Sequence, residues 1–200
     1  MEELTELFKK FPGIGGRQAK RFVYFLMHTQ SSYRQELINA INNINNKVIT
    51  CSSCNRKFID YRNNNKCNVC NKNRDKETLL ILAYDNDIEI FENTLAFNGE
   101  YFILGKYIPL FSDKINEYID FQKIYERIDN LLQQGLKEII LGLNATSDGN
   151  FTNKVLKEKI SEKYKDNNMK ISTLGRGIST GGEIEYTDMD TLREALRFRR

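Results

Sequence analysis

The spacing of hydrophobic and polar residues changes along the chain and predicts two kinds of structure. In residues 2–10, 17–28 and 33–44 the apolar side chains recur at intervals of three and four, which predicts three short amphipathic helices. From residue 78 onward short apolar runs alternate with further amphipathic stretches. The predicted strands are residues 78–84, 101–104, 138–143 and 170–174, and the predicted helices between them are residues 87–94, 121–134 and 151–164.

The second half of the chain is typical of an α/β domain. Its strand segments are apolar throughout, as in TLLILAY at 78–84, so both faces of the sheet should be covered. Strands that alternate with helices predict a mostly parallel sheet. Ligands of such sheets bind beyond the carboxyl ends of the strands. In this chain two of those ends carry the polar segments 84–87 (YDND) and 144–148 (NATSD).

A glycine-rich turn separates the first two predicted helices. It has the sequence FPGIGG at residues 11–16, and its glycines suit tight or positive-φ backbone. The turn opens a helix, where backbone N–H groups lie at the positive end of the helix dipole and can bind a phosphate oxygen. Gly13 and Gly15 are therefore candidate phosphate-contacting residues.

The helix that follows this turn is basic on one side. Residues 11–35 contain four Lys or Arg and no Asp or Glu. At helical spacing, Arg17, Lys20 and Arg21 lie opposite the apolar stripe of the same helix. Such a face adds a sequence-independent, salt-sensitive attraction to a nucleic-acid backbone. Helix, glycine turn and basic helix together form the helix-hairpin-helix pattern, which predicts DNA binding.

Two other interpretations of the basic helix stay open. The first is an ordinary helical hairpin whose charged face is only solvated. The second is an adaptor whose basic helix contacts protein instead of DNA. A salt titration distinguishes these cases, because phosphate contacts give a steep dependence of affinity on salt.

All four cysteines of the chain lie within one short segment. They form two Cys-x-x-Cys pairs separated by twelve residues, namely Cys51, Cys54, Cys67 and Cys70. Two such pairs can complete a tetrahedral four-sulfur site, so the spacing predicts one structural Zn²⁺ per chain. The alternative is a pair of disulfides. The set of four sulfurs leaves no open position for a reaction at the metal.

Composition sets limits on the class of protein. The 40% hydrophobic content supports an ordinary core, and no apolar run approaches the eighteen or so residues needed to span a bilayer. The net charge is only +3, so charge balance alone does not indicate a nucleic-acid partner. Because the N-terminus is charged and helical rather than a signal peptide, we expect a reducing, cytoplasmic location without membrane contact.

Residues 175–188 are rich in glycine and then acidic, and they precede a predicted helix at 191–198. The segment contains neither the Gly-Lys-Ser/Thr of a P-loop nor a strand-borne G-x-G-x-x-G. We interpret it as a connecting segment that docks, with a nucleotide contact at Gly181-Gly182 as the alternative.

The order of these motifs resembles the bacterial recombination mediator family RecR, over essentially the whole chain. The most specific matches are residues 11–22 (FPGIGGRQAKRF), the cysteine pairs, and residues 144–149 (NATSDG), 176–178 (RGI) and 181–186 (GGEIEY). The resemblance implies that the α/β unit is a Toprim domain and that the protein forms a tetrameric ring around single- or double-stranded DNA. It also implies action with RecO, and in some pathways RecF, to help RecA replace single-strand-binding protein at gaps. Nucleoid association during repair follows from that role.

With this resemblance the expected fold class is a multi-module α/β protein. The expected parts are a helix-hairpin-helix module at 1–50, a four-cysteine zinc-finger motif at 51–77, a Toprim-like α/β domain at 78–174, and a glycine-rich segment with a short helix at 175–200.

The sequence departs from a catalytic Toprim pattern. The position of the first-strand glutamate falls on Ala83, and the paired acidic positions fall on Asp148 and Asn150. Since Mg²⁺ needs closely placed oxygen ligands, we expect no catalytic residue and no enzyme activity. The alternative is a small metal-dependent nuclease or primase-like enzyme, in which Asp85 or Asp87 replaces the missing carboxylate.

Overall fold

The computed structural model describes residues 2–60, 64–175, 177–178 and 181–197. The chain forms two compact units, Met1–Val48 and Ile49–Arg200. The division into four parts expected from the sequence stays a prediction. No helix in the described ranges combines the length and apolar character required to cross a bilayer.

The first unit consists of three helices, which the sequence spacing predicted. They are α1 (Glu2–Lys9), α2 (Gly16–His28) and α3 (Ser31–Lys47). Its small core contains Thr5, Ala19 and Val23, which are buried. The rings of Phe8 and Phe22 meet edge to face with centroids 5.5 Å apart, which holds α1 against α2.

The apolar stripe of α3 is largely exposed. The sequence predicted an amphipathic third helix that completes the module, and Ile38, Ile41 and Ile44 of its apolar side are each about half exposed. Within the described part of this unit Ile38 and Ile41 border an open apolar groove of about 750 Å³, which we call the α1–α3 groove. Its lining includes Leu4, Leu7, Phe8, Phe11, Leu26, Leu37, Ile38 and Ile41.

The second unit is built on a four-stranded parallel sheet with strand order β4-β3-β5-β6. A separate two-stranded sheet precedes it. The strands are β1 (Val48–Thr50), β2 (Lys57–Ile59), β3 (Asp75–Leu82), β4 (Gly99–Ile103), β5 (Glu138–Leu141) and β6 (Lys170–Thr173). The helices are α4 (Asp85–Thr94), α5 (Ile115–Tyr118), α6 (Phe121–Leu132), α7 (Ser147–Lys163) and α8 (Met189–Arg197), with a 3₁₀ turn at Ile184–Tyr186.

The central strand β3 has buried side chains on both faces of the sheet, which confirms the prediction from its unbroken apolar run. Leu79 and Ile81 pack on one side with the apolar stripes of α6 and α7. Leu80 and Leu82 pack on the other side with Ile88 of α4 and with the cysteine segment. The cysteine segment is therefore part of the core of the second unit.

Local signals explain where two elements begin. Strand β3 starts three residues earlier than predicted because the backbone N–H of Asp75 donates to the Asn98 carbonyl (3.0 Å). Helix α7 starts at Ser147 instead of at residue 151, since the Thr146 hydroxyl accepts a hydrogen bond from the Gly149 N–H (3.1 Å) and caps it.

Candidate metal centre and nucleic-acid interface

The four cysteines converge on one point in the second unit. Their sulfur atoms all lie within 4.8 Å of one another. Cys51, Cys54 and Cys67 are buried, Cys70 is partly exposed, and all four are free thiols, so the disulfide alternative is not formed. Among the described residues this is the one group of three or more His, Cys, Asp or Glu side chains close enough to hold a metal ion.

Two similar turns bring the sulfurs together. The Asn55 N–H donates to the Cys51 carbonyl (3.0 Å), and the Asn71 N–H donates to the Cys67 carbonyl (3.1 Å), so each Cys-x-x-Cys pair curls around one point. Asn55 adopts a left-handed φ of 61°, which asparagine tolerates better than most residues. We call residues 51–60 and 64–70 the cysteine knuckle.

The spacing of the sulfurs fits zinc. A tetrahedral site with Zn–S bonds of about 2.3 Å places neighbouring sulfurs about 3.8 Å apart. The sulfurs of Cys54 and Cys67 are 3.7 Å apart. Four sulfur donors without an oxygen ligand also match the preference of zinc over magnesium or calcium.

The thiols of the cluster differ in pKa because they form hydrogen bonds with one another. Hydrogen bonds with the thiols of Cys54, Cys67 and Cys70 lower the pKa of Cys51 far below its ordinary value, whereas the hydrogen bond with Cys51 raises the pKa of Cys54. A bound metal must displace the remaining protons, so metal affinity falls as the pH is lowered.

The cysteine knuckle is fastened to the outer strand of the main sheet. The Ile103 N–H of β4 donates to the Cys54 carbonyl (2.8 Å), and the Asn55 side-chain amide donates to the Ile103 carbonyl (2.7 Å). These bonds satisfy the backbone N–H and C=O of Ile103 on the free edge of β4. The knuckle therefore covers the Ile103 end of this edge.

A cleft between the cysteine knuckle and α6 contains charged residues that sequence reasoning missed. This knuckle cleft has a volume of about 600 Å³ and is lined in part by Cys51 and Cys70. On its floor Glu100, almost fully buried, forms ion pairs with Lys76 and with Arg127 (2.5 Å for the second). The three residues come from β3, β4 and α6, and no local motif joins them.

The predicted DNA-contacting residues lie in the first unit. Arg17, Lys20 and Arg21 are all exposed on α2, opposite the buried residues of that helix. Because α2 contains no Asp or Glu, its outer face has only positive charge of its own. Nothing in the structure tests their contact with DNA, which stays a prediction.

The start of α2 has no side-chain cap. Its N-cap residue, Gly15, has no side chain to accept hydrogen bonds from the first turn. Gly13, in the turn before it, has a φ of +75°, which only glycine adopts without strain. The N–H groups of the first turn therefore donate to no side-chain cap, and such groups are suited to bind an anion.

The carboxyl edge of the main sheet carries carboxylates that already have partners. Asp87 caps α4 by accepting a hydrogen bond from the Tyr84 N–H (3.1 Å), and Asp148 accepts one from the Leu110 N–H (2.8 Å). Asp85 lies 3.9 Å from the guanidinium of Arg56, and burial raises the pKa of Asp85. Arg56 was not predicted as a partner of this edge.

The Toprim-type positions do not form a metal site among the described residues. Ala83 is completely buried and offers no oxygen. Asn150 lies in the first turns of α7 as an amide in place of a carboxylate. The carboxylates of Asp85, Asp87 and Asp148 do not group closely enough to share one cation in the described part of the chain.

Comparison with known proteins gives a consistent result. The C-terminal family model described as "RecR, C-terminal" matches residues 177–200. Proteins called Recombination protein RecR align with nearly the whole chain. The one from Orientia tsutsugamushi (strain Ikeda) is 31% identical over 201 residues, covering 100% of this chain and 94% of its own. That from Chloroherpeton thalassium is 34% identical over 205 residues, covering 100% and 95%. That from Ureaplasma parvum serovar 3 (strain ATCC 27815 / 27 / NCTC 11736) is 30% identical over 196 residues, covering 98% and 92%. The chain belongs to the RecR family of recombination proteins.

Proposed function

We propose that this protein is a DNA-binding mediator of recombinational repair. In this role it acts with RecO, and in some pathways RecF, to promote loading of RecA on single-stranded DNA at gaps, in the cytoplasm at the nucleoid. Membership of the family supports a role in recombination. The observation that carries the DNA contact is the exposed face of α2, with its three cations, no carboxylate and an uncapped N-terminus.

The chemistry of this face suits phosphate rather than base edges. A phosphate oxygen at the start of α2 would accept hydrogen bonds from the backbone N–H groups that follow Gly15. Arg17 lies in the same first turn, and Arg21 lies one turn further on the same side. Phosphate contacts position a duplex or a single strand without reading its sequence. We therefore expect binding to both forms of DNA.

Lys20 should contribute less than the two arginines. It lines a shallow depression on the α1 side of α2 together with Glu2 and Glu6. Lys9 in the same depression pairs with Glu6 (2.6 Å), so Glu2 is the carboxylate that offsets part of the attraction of Lys20 for phosphate. Arg21 lines a different depression, among the aromatic side chains of Phe22 and Phe25.

The test is the salt dependence of DNA binding by an Arg17→Ala, Arg21→Ala double variant. Each lost phosphate contact should reduce the log–log salt slope by about 0.7 to 0.9, and affinity should fall for every sequence tested. A matched control, Lys157→Ala with Lys165→Ala, removes the same charge from exposed positions of the second unit and should keep the slope of the wild type. A folded double variant that binds DNA like the wild type would contradict the proposal.

We assign a structural Zn²⁺ to Cys51, Cys54, Cys67 and Cys70, one ion per chain. The sulfur spacing and the position of the knuckle in the core support this assignment. Four thiolates fill the coordination shell, so the metal supplies folding energy and no reactive position.

The α/β unit, which we take to be Toprim-like, should not transfer phosphoryl groups. Ala83 supplies no ligand, and Asp87 and Asp148 already accept structural hydrogen bonds. The assay is nicking of a supercoiled plasmid with Mg²⁺ or Mn²⁺. Metal-dependent cleavage that disappears in Asp148→Ala would support the nuclease alternative over the mediator.

Assembly into a tetrameric ring is the last part of the proposal. The α1–α3 groove has apolar side chains that no described residue of the first unit covers. Exposed apolar patches of this kind are typical of interaction surfaces. Light scattering should give the mass of four chains without DNA and of four chains plus the bound DNA with it, and a mass that corresponds to one chain under both conditions would contradict a ring.

A further inference from the structure

The four sulfurs of the cysteine cluster are not equally accessible. Cys54 and Cys67 have no exposed surface, and Cys51 is 2% exposed. Cys70 is partly exposed, and it lines the knuckle cleft together with Cys51. A small molecule that enters this cleft therefore reaches Cys70 first, with Cys51 beside it, while the other two sulfurs lie behind them.

The knuckle cleft is also electrostatically suited to anions. Its lining carries four cations, Lys66, Lys76, Lys123 and Arg127, against the carboxylates of Glu100 and Glu126. Lys66 and Lys123 are exposed and can draw an anion into the cleft.

We propose that Cys70 is a modification site, the position at which a small anionic disulfide oxidises the zinc centre and releases its metal. The inference rests on the zinc assignment above. The Cys70 thiolate attacks one sulfur of the disulfide, whose S–S bond breaks and whose other half leaves as a thiolate. The Cys51 thiolate, within 4.8 Å, then attacks the Cys70 sulfur and expels the second half. Two cysteines are thereby oxidised to one disulfide, and the reagent is reduced to two thiolates.

Zinc release follows from the loss of ligands. A Cys51–Cys70 disulfide leaves only Cys54 and Cys67 as thiolates, and two sulfurs do not complete a structural zinc site. The Cys54 carbonyl also accepts the hydrogen bond from Ile103 of β4, so loosening of the knuckle uncovers that strand. The reaction therefore opens both the metal centre and the adjacent sheet edge.

The experiment uses the full chain with its metal, after zinc per chain has been measured. The probe is 5,5′-dithiobis(2-nitrobenzoate), an anionic disulfide, added below one equivalent. Thiolate release is followed by absorbance, zinc release by a chelating dye, and the modified cysteines by peptide mass mapping. We expect modification of Cys70 and Cys51, with zinc released in step. First modification at Cys54 or Cys67, or retention of zinc after Cys70 has reacted, would overturn the inference.

Variants test the role of the cleft. Lys66→Gln with Lys123→Gln should slow the anionic probe several-fold and leave the neutral probe 2,2′-dipyridyl disulfide unchanged. The matched control, Lys157→Gln with Lys165→Gln, removes equal charge outside the cleft and should slow neither probe. Equal effects of the two pairs would refute steering by the cleft.

A final variant separates this inference from the zinc assignment. Cys70→His keeps a fourth ligand that zinc accepts and should resist release by the probe. If that variant does not fold, the peptide mass map of the wild-type protein tests the inference by showing which cysteine the probe modifies first. A chain purified without zinc refutes the zinc assignment, whereas a zinc-loaded chain whose Cys70 is not attacked first refutes this inference alone.

Discussion

Leu95 offers a sharp test of the backbone of the second unit. It is the C-cap of α4, with φ 52° and ψ 25°, which is the left-handed region. A non-glycine residue in that region reduces the stability of the folded state by about 1 to 2 kcal/mol, whereas glycine adopts it without strain. Glycine also has more conformational freedom in the unfolded chain, which offsets part of this gain. The Leu95 side chain is 87% exposed, so its removal loses little burial. Leu95→Gly should therefore stabilise the unit by about 0.5 to 1 kcal/mol.

The assay is urea unfolding followed by circular dichroism. We expect a higher midpoint with an unchanged slope, and a melting temperature raised by about 1 to 4 °C. The control is Ile90→Gly in the interior of α4, also exposed (63%). There the backbone is helical, so glycine should destabilise by about 0.5 kcal/mol. If Leu95→Gly lowers the midpoint as the control does, the strain argument is wrong.

Three further predictions concern the metal centre, a tight turn and pH. Cys67→Ser should bind less than one zinc per chain and unfold at lower urea, and a stable variant with full zinc content would contradict a structural role. Gly149→Ala would place a Cβ 2.0 Å from the Asn144 carbonyl oxygen. This clash should lower the free energy of unfolding by about 2 to 3 kcal/mol, and an unchanged melting temperature would contradict it. Hydrogen bonds from Ser172 and a nearby lysine lower the pKa of Glu138. Because the pKa of Glu138 is lower in the folded than in the unfolded chain, its carboxylate stabilises the fold at pH values above the unfolded-state pKa. This stabilisation is lost as the pH falls through the folded-state pKa. Glu138→Gln should thus have a lower urea midpoint than the wild type at neutral pH and the same midpoint in acid. A difference in midpoint that stays constant with pH would contradict this prediction.

Periodicity predicted buried faces well where an element packs on the sheet. The spacing in α6 predicted one apolar stripe, and Ile124, Ile128 and Leu131 from it are fully buried. The same spacing in α3 predicted an amphipathic helix, and Ile38 and Ile41 on its apolar side are about half exposed. Spacing identifies which side of a helix is apolar. It does not identify what covers that side.

The cysteine spacing predicted the cluster but not its surroundings. Asn55 and Ile103 are 48 positions apart, and no local pattern pairs the knuckle with the edge of β4. The contacts between Glu100 and Arg127 and between Arg56 and Asp85 were missed for the same reason. These are single charged residues on separate elements, and only the tertiary fold joins them.

The hydrogen bonds between the cysteine knuckle and β4 have a consequence for the behaviour of the protein in the cell. An outer strand with free N–H and C=O groups is a template for pairing with a strand of another molecule. Here the cysteine knuckle, whose fold we propose depends on zinc, blocks that template at Ile103. A chain that has lost its metal, or never received it, exposes the unpaired edge of β4 and should aggregate by pairing of this strand with strands of other molecules. Zinc supply would then determine how much of the newly made protein stays in solution.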